Sequence, residues 1–408
     1  MEVVVAVGAG LDVHKKRITA CCIDGRSSPP TIRTRTFGTF RDELERLREW
    51  LLDHGCTHVG MESTGVYWIP VHRVLEGRVE VVLGNARHMA NVPGRKTDVG
   101  DAQWIADLLR HGLIRPNFIP PTAIRDLRQN TRYRRRLIEM RSASQLRVEK
   151  LLQSTNIKLS SVASNIFGVS GRLMLAALAS GVTDAVKLAG LARGSLIKKR
   201  VELTRALRGT FTDHDAQLLA VELCVIDDLQ KQLNKLDALI ATQVVPFAEQ
   251  IALLDTVPGI DRALASELIA EVGTDMSAWP TADHFAAWTG TCPGNRESGG
   301  VRRRARSREG NPYVKFILLR AAVSASRTVS SYLAGRYRRL ASRRGPGRAL
   351  VALAHEIGVS IYHMLAKREP YRAPAPADPN VVRQRKVRRL VHELRQLGLE
   401  VTTTAITS

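Results

Sequence analysis

Four carboxylates in the first quarter of the chain stand where acids are uncommon, at the ends of apolar runs and at the start of a helix-like segment. Asp12 ends the strand-like run that opens Val3-Val4-Val5-Ala6-Val7, and Glu62 ends a second run, His58-Val59-Gly60-Met61. Asp98 and Asp101 lie in Lys96-Thr97-Asp98-Val99-Gly100-Asp101-Ala102, and a spacing of three puts both on one helix face. Converged on one point, the four would repel strongly unless a divalent cation offset their charge. Hard, oxygen-ligated Mg²⁺ suits that donor set, so phosphodiester chemistry is the first reading. His14 could orient a phosphate or be a surface histidine, whereas Ser63 and Thr64 beside Glu62 fit a turn.

A second group of reactive types lies far downstream, in Gly290-Thr291-Cys292-Pro293-Gly294-Asn295-Arg296-Glu297-Ser298-Gly299-Gly300-Val301-Arg302-Arg303-Arg304. One serine is bracketed by glycines and followed by Arg302, Arg303, Arg304, Arg306 and Arg308. Between residues 301 and 348 fourteen Lys and Arg face Glu309 alone. A Gly-Gly step permits close approach to a backbone phosphate, and clustered guanidinium groups would stabilise charge building on a pentavalent phosphorus. A Ser hydroxyl in that field could attack the phosphate and hold the broken strand covalently. Ser-Gly-Gly is also ordinary loop composition, so these residues alone leave the loop reading open.

Periodicity supplies the elements that would carry both groups. Strands are expected at residues 3–11, 17–24 and 31–37, a helix at 41–54, a strand at 57–61, a helix at 67–75, a strand at 79–83 and a helix at 98–113. That order, with acids on the first strand, the fourth strand and a late helix, is the order of a ribonuclease H-like fold. Gly8-Ala9-Gly10 lacks the continuation of a nucleotide-binding loop. Beyond Pro116 and Pro120-Pro121 a long Arg-rich helix is expected over 122–155, then a weakly patterned Ser/Ala/Gly stretch. A second long helix follows over 213–245, read as a helical arm or short coiled coil able to mediate dimerisation. Residues 251–272 read as a helix-hairpin-helix whose turn at Gly259 offers amides to a phosphate backbone. Helices continue at 281–288, 313–334 and 348–367, before a Pro-rich linker at 370–379 and a basic amphipathic tail at 381–399.

The expected architecture is therefore α/β plus all-α. A ribonuclease H/RuvC-like metal-dependent domain occupies 1–118, a helical and coiled-coil region 119–250, a mainly helical serine-bearing domain 251–369, and a linker with a basic tail 370–408. The bulk composition agrees with a nucleic-acid enzyme. Lys plus Arg is 61 against 39 acids, a net charge of +22, which calls for a polyanionic partner. No stretch approaches the roughly 18 consecutive apolar residues of a membrane span, and Met1-Glu2-Val3 carries no basic region of a secretory signal. The five cysteines show no paired metal spacing and read as reduced thiols in a cytoplasmic protein.

Taken together, Leu11-Asp12-Val13-His14-Lys15, Met61-Glu62-Ser63-Thr64-Gly65, Lys96-Thr97-Asp98-Val99-Gly100-Asp101-Ala102 and Pro293-Gly294-Asn295-Arg296-Glu297-Ser298-Gly299 resemble the DEDD-type insertion-sequence transposases, over about residues 3–367. The resemblance implies a RuvC-like domain joined to a transposase domain with a reactive serine, acting through a circular intermediate. Asp12, Glu62, Asp98 and Asp101 would then bind Mg²⁺, as two ions, and Ser298 would be the nucleophile that forms a phosphoserine link. It further implies double-stranded DNA as substrate at the element ends and the target, and a guide (bridge) RNA that pairs with both DNAs. A homo-oligomer, dimer or tetramer, would complete the site with a partner's acidic domain in a nucleoid-associated, prokaryotic setting. The residues themselves leave two other readings. One is a RuvC-like Holliday-junction resolvase or Mg-dependent nuclease, in which the acids activate water and Ser298 is inert. The other is a non-catalytic nucleic-acid binder.

Overall fold

Small and large residues alternate along the first strands, and that alternation gives the first sheet two unlike faces. The computed structural model describes residues 3–63, 65–85, 89, 100–294, 297–298, 301–302, 307–374 and 379–402. The chain divides into two units, Met1–Pro121 and Thr122–Ser408.

The first unit runs β1 (Val7–Val13), β2 (Arg17–Asp24), β3 (Thr31–Gly38), α1 (Arg41–Asp53), β4 (His58–Glu62), α2 (Trp68–Leu75), β5 (Glu80–Gly84) and α3 (Gly100–Arg110). This is the element order expected from periodicity. The strands form one mixed sheet in the order β3-β2-β1-β4-β5. The pairs β1–β2 and β2–β3 are antiparallel, whereas β1–β4 and β4–β5 are parallel. Val7, Ala9, Leu11, Val59 and Met61 point to one face, where Leu44, Leu47 and Leu51 of α1 and Val71 and Leu75 of α2 close the core. Each such buried aliphatic contributes about 1.5–3 kcal/mol.

The opposite face presents Gly8, Gly10 and Gly60, and α3 lies directly on them. A β-carbon on Gly10 would stand 2.1 Å from the Ala102 carbonyl oxygen and 2.3 Å from the Ala106 amide nitrogen. One on Gly60 would meet Ile114 and Ile105 at 3.0 and 3.1 Å. Gly8-Ala9-Gly10 is thus a seat for a helix.

In the second unit α4 (Thr122–Ser154) pairs with α8 (Asp213–Gln243). Asn130–Gln243, Arg134–Asp237, Arg141–Gln230 and Arg147–Glu222 contacts run in opposite senses along the two helices, so they are antiparallel. A capping box of Thr212 with Asp215 starts α8. The apolar face of α8, with Leu219, Leu223 and Ile226, is filled from within the chain, partly by Val148 and Leu152 of α4. Leu218, Val221 and Leu239 stay exposed.

Between these helices the stretch read as weakly patterned is a packed helical module: α5 (Val169–Ala179), α6 (Ala185–Gly190) and α7 (Arg200–Ala206), with short 3₁₀ turns. Its core joins Leu159, Met174, Leu175, Leu178, Leu188, Leu203 and Leu207 to α8. Elements this short bury different faces in turn, so no period is sustained along the sequence.

The remaining helices are α9 (Ala248–Asp255), α10 (Arg262–Val272), α11 (Ala282–Trp288), α12 (Pro312–Arg327), α13 (Tyr332–Arg344), α14 (Pro346–Lys367) and α15 (Pro379–Gln396). A single helix over 313–334 was expected, and the chain instead breaks there. Thr328 is extended, Ser330 has φ +60°, and the Ser331 hydroxyl caps α13 by accepting from the Ala334 amide at 3.1 Å, the alternative to helix continuation that serine side chains offer. Among the described residues, α14 is the one single helix long and apolar enough to cross a membrane by length and composition alone. It packs against α12 and α13 and buries Leu353, Ile357 and Ile361, as a core helix does.

Gly10→Ala is expected to destabilise the protein by about 3 kcal/mol, because helix main chain, unlike a side-chain tip, cannot step aside. Urea unfolding would measure it, and an unchanged midpoint would contradict the close helix–sheet contact.

Candidate active site

Parallel pairing of β1 with β4 runs from Gly8↔His58 to Leu11↔Met61, and the next positions on the two strands are Asp12 and Glu62. Neighbouring strands lie about 4.8 Å apart, so these carboxylates leave adjacent strand ends on the same face as Gly10 and Gly60, the face under α3. Asp101 stands in the first turn of α3, one residue before Ala102, whose carbonyl overlies Gly10. The glycine seat therefore brings the third acid to the end of the sheet that carries the first two. Asp98 lies outside the described residues.

Asp12 is partly open to solvent, and His14 Nε2 reaches its Oδ2 at 3.0 Å. Ser63 is held against β5 and the chain beyond α3: its amide donates to the Gly84 carbonyl at 3.0 Å and its hydroxyl accepts from Asn117 Nδ2 at 3.0 Å. Thr64 lies outside the described residues. An oxygen-only set at two strand ends and a helix start fits a hard divalent cation. Among the described residues, no three His, Cys, Asp or Glu side chains gather closely enough to enclose an ion.

The second constellation rises from a closed neck. Thr289 and Thr291 are buried, their hydroxyls 2.9 Å apart. Gly290 has φ +72°, and a β-carbon on Gly310 would lie 2.3 Å from its nitrogen, so the two ends of the loop meet main chain to main chain. The Asn311 amide donates to the Trp288 carbonyl at 2.8 Å and the Arg308 amide to the Cys292 carbonyl at 3.1 Å. Lys315 Nζ donates to Ser307 Oγ at 2.7 Å. Beyond the neck, β6 (Glu297–Ser298) pairs antiparallel with β7 (Val301–Arg302), Glu297 opposite Arg302 and Ser298 opposite Val301. Ser298 is thus the last residue of β6, paired with the first residue of β7. Those glycines and Arg303, Arg304 and Arg306 lie outside the described residues; Arg308 is exposed.

Sequence reasoning missed what anchors this neck. Glu271, on α10, is only 2% exposed, and Arg132 of α4 grips its carboxylate with two bonds of 2.7 and 2.8 Å. Arg128 donates to the Ala270 and Glu271 carbonyl oxygens at 2.9 and 2.6 Å; burial pushes its guanidinium down to about 10. Asn311 Nδ2 donates to Glu271 Oε2 at 3.2 Å, while Asn311 Oδ1 accepts from the Tyr313 and Val314 amides and caps α12. Arg132 also stacks over Tyr313 at 3.9 Å, and Arg135 over Phe316 at 3.7 Å. The arginines of this Arg-rich helix suggest either a nucleic-acid face or a merely solvated one, yet Arg128, Arg132 and Arg135 serve this internal network.

Two further residues have structural roles here. Cys292 is half-buried, and burial raises its thiol pKa, the opposite of an activated thiolate. Gly259 has φ +95°, and a β-carbon there would stand 2.5 Å from the Ala325 nitrogen of α12. Packing on that helix is reason enough for a glycine at this turn.

Glu271→Ala is expected to cost about 3 kcal/mol, since it leaves two arginines without their buried counter-charge. Denaturant unfolding would read it, and a loss no larger than that of an exposed Glu→Ala change would mean the network carries little weight.

Two family models match this chain. A DEDD transposase model of the IS110 group, described as a transposase, matches residues 9–157 and so spans Asp12, Glu62, Asp98 and Asp101. The model for the transposase IS116/IS110/IS902 family matches residues 251–338 and spans the Ser298 loop. The transposase for insertion sequence element IS1111A of Coxiella burnetii is 24% identical over 295 residues, which cover 70% of each chain. The two matched regions together make up more than half of the sequence, in the order in which the two constellations occur. The chain belongs to the IS110-family transposases and is a DNA transposase/recombinase.

Proposed function

We propose that this transposase cuts and rejoins DNA through a serine–phosphate link formed by Ser298, with Mg²⁺ held by a RuvC-like DEDD site. The observation that carries the reading is the register that sets Asp12 beside Glu62, under a helix whose first turn brings Asp101 to the same sheet end. The sheet order β3-β2-β1-β4-β5, three antiparallel and then parallel strands, supports the ribonuclease H-like assignment. Asp12, Glu62, Asp98 and Asp101 would hold the metal, as two ions. When bound, the metal would neutralise phosphate charge and stabilise the oxygens at the reacting phosphorus.

The protein's own groups divide the remaining work. Ser298 Oγ loses its proton and forms a bond to the phosphorus; the bond from phosphorus to one bridging oxygen breaks, and that strand end leaves as a hydroxyl after taking up a proton. Rejoining runs the same exchange with an incoming hydroxyl, so no phosphodiester energy is lost. Arg302, Arg303, Arg304, Arg306 and Arg308 would bind the phosphates around the serine. The turn at Gly259, in the helix-hairpin-helix-like pair α9–α10, would add sequence-independent backbone contact. The resemblance to DEDD-type transposases extends the proposal to a bridge RNA that selects target and donor DNA, and to a dimer or tetramer that completes the site.

Expression with the native flanking DNA, followed by denaturing electrophoresis, is expected to show a covalent protein–DNA adduct that Ser298→Ala abolishes. Nicked DNA without an adduct, in both proteins, would instead identify a metal-dependent nuclease. Asp98→Asn is expected to lose Mg²⁺-dependent strand cleavage by about a hundredfold or more while binding DNA as the parent does; full activity in that variant would remove Asp98 from the metal site.

A further inference from the structure

The module between α4 and α8 lies outside both family matches, which end at residue 157 and resume at residue 251. Its charge is nonetheless strongly one-sided. Residues 158–212 contain Asp184 and Glu202 as their only acids, against nine Lys and Arg. Asp184 is spent on capping α6, where it accepts from the Val186 and Lys187 amides. Of the nine cations, Arg172 is paired with Asp227.

The others concentrate on one stretch. Arg193, Lys198, Lys199, Arg200, Arg205 and Arg208 are all exposed, and among the described residues none of them has a carboxylate partner. Leu203, Ala206 and Leu207 face the core, while Val201, Arg205 and Arg208, at i, i+4 and i+7, face solvent. Arg200 and Arg205 are therefore held by buried neighbours on the same short helix, Arg208 follows buried Leu207, and Lys198 and Lys199 follow Leu196, which packs partly buried on that core from the 3₁₀ turn Gly194–Lys199. Unpaired cations fixed at a surface attract a polyanion.

We infer that this basic surface, residues 193–208, is a sequence-independent binding site for the phosphate backbone of duplex DNA, separate from the Ser298 loop. The chemistry favours a duplex over a single strand: residues 193–208 contain no aromatic, so the patch itself offers no ring for base stacking. Duplex DNA is also the polyanion that a transposase must hold, and this inference stands whether or not Ser298 is the nucleophile.

The test compares Lys198→Ala/Lys199→Ala in the full chain with Lys150→Ala/Lys235→Ala, which removes the same charge from exposed positions on α4 and α8. Fluorescence anisotropy would follow binding to an arbitrary-sequence duplex across about 50–200 mM KCl. The first variant is expected to bind about tenfold more weakly, with a log–log salt slope shallower by about 2, and the second to match the parent. Arg205→Gln/Arg208→Gln should repeat the first result if the patch acts as one surface. Equal losses in patch and control variants would reduce the effect to bulk charge and overturn the site. Unchanged DNA binding, or a loss confined to duplex RNA, would overturn it as well.

Discussion

Contact between main chain and main chain, where α3 rests on the sheet, sets the geometry of the first unit. Helix and strands can come this close only because Gly8, Gly10 and Gly60 present no side chains to the helix. A single methyl at Gly10 would overlap a carbonyl oxygen and an amide nitrogen of the helix ladder, atoms already fixed by their own hydrogen bonds. The closeness also sets where the acids stand. The start of α3 carries Asp101, and the ends of β1 and β4 carry Asp12 and Glu62. Had larger residues lifted the helix, the third acid would stand away from the other two. Most of the sheet's aliphatic residues pack on the other face, while Ile23 and Val82 lie under α3 beside the glycines.

The second unit meets a comparable demand with charge. The loop that carries Ser298 leaves the helical body at Thr289 and returns at Asn311, and something must hold that neck beneath a sequence rich in glycine and arginine. Glu271 does so from inside the fold. Its carboxylate, almost wholly removed from water, collects Arg132 from the long helix α4 and Asn311 from the loop's return. A buried carboxylate without such partners would cost several kcal/mol, so the network holds only when α4, α10 and the start of α12 are assembled together. Folding of the unit and shaping of the loop base are thus one event.

The large positive charge divides in a way that bulk composition conceals. Arg128, Arg132, Arg134 and Arg147 are used within the protein, in the Glu271 network or along the α4–α8 seam. Arg193 to Arg208 and the cations following Ser298 are the ones whose neighbours in sequence supply few acids. A DNA transposase needs both kinds: paired charge that fixes register between helices, and unpaired charge that meets phosphate.

Much of this was legible in the residues. The strand–helix order of the first unit follows from period-two and period-3.6 patterning, because each element buries one face against a single core. The acids stood out as candidates because such types are rare in apolar runs, whereas Ser298, in ordinary Ser-Gly-Gly loop composition, was singled out through the resemblance to DEDD-type transposases. The break between α12 and α13 was not, since Thr-Val-Ser-Ser tolerates a helix until a serine hydroxyl takes the capping amide. Nor was the module at 155–212, whose short helices turn different faces inward. The sequence by itself determined which elements form in the first unit and which groups were candidates to react. Only the tertiary structure decided which acids share a sheet end, which arginines are spent on Glu271, and why Gly10 and Gly259 must be glycine. Those outcomes depend on contacts between residues far apart in the chain, and a local pattern carries no record of the distance at which two elements finally pack.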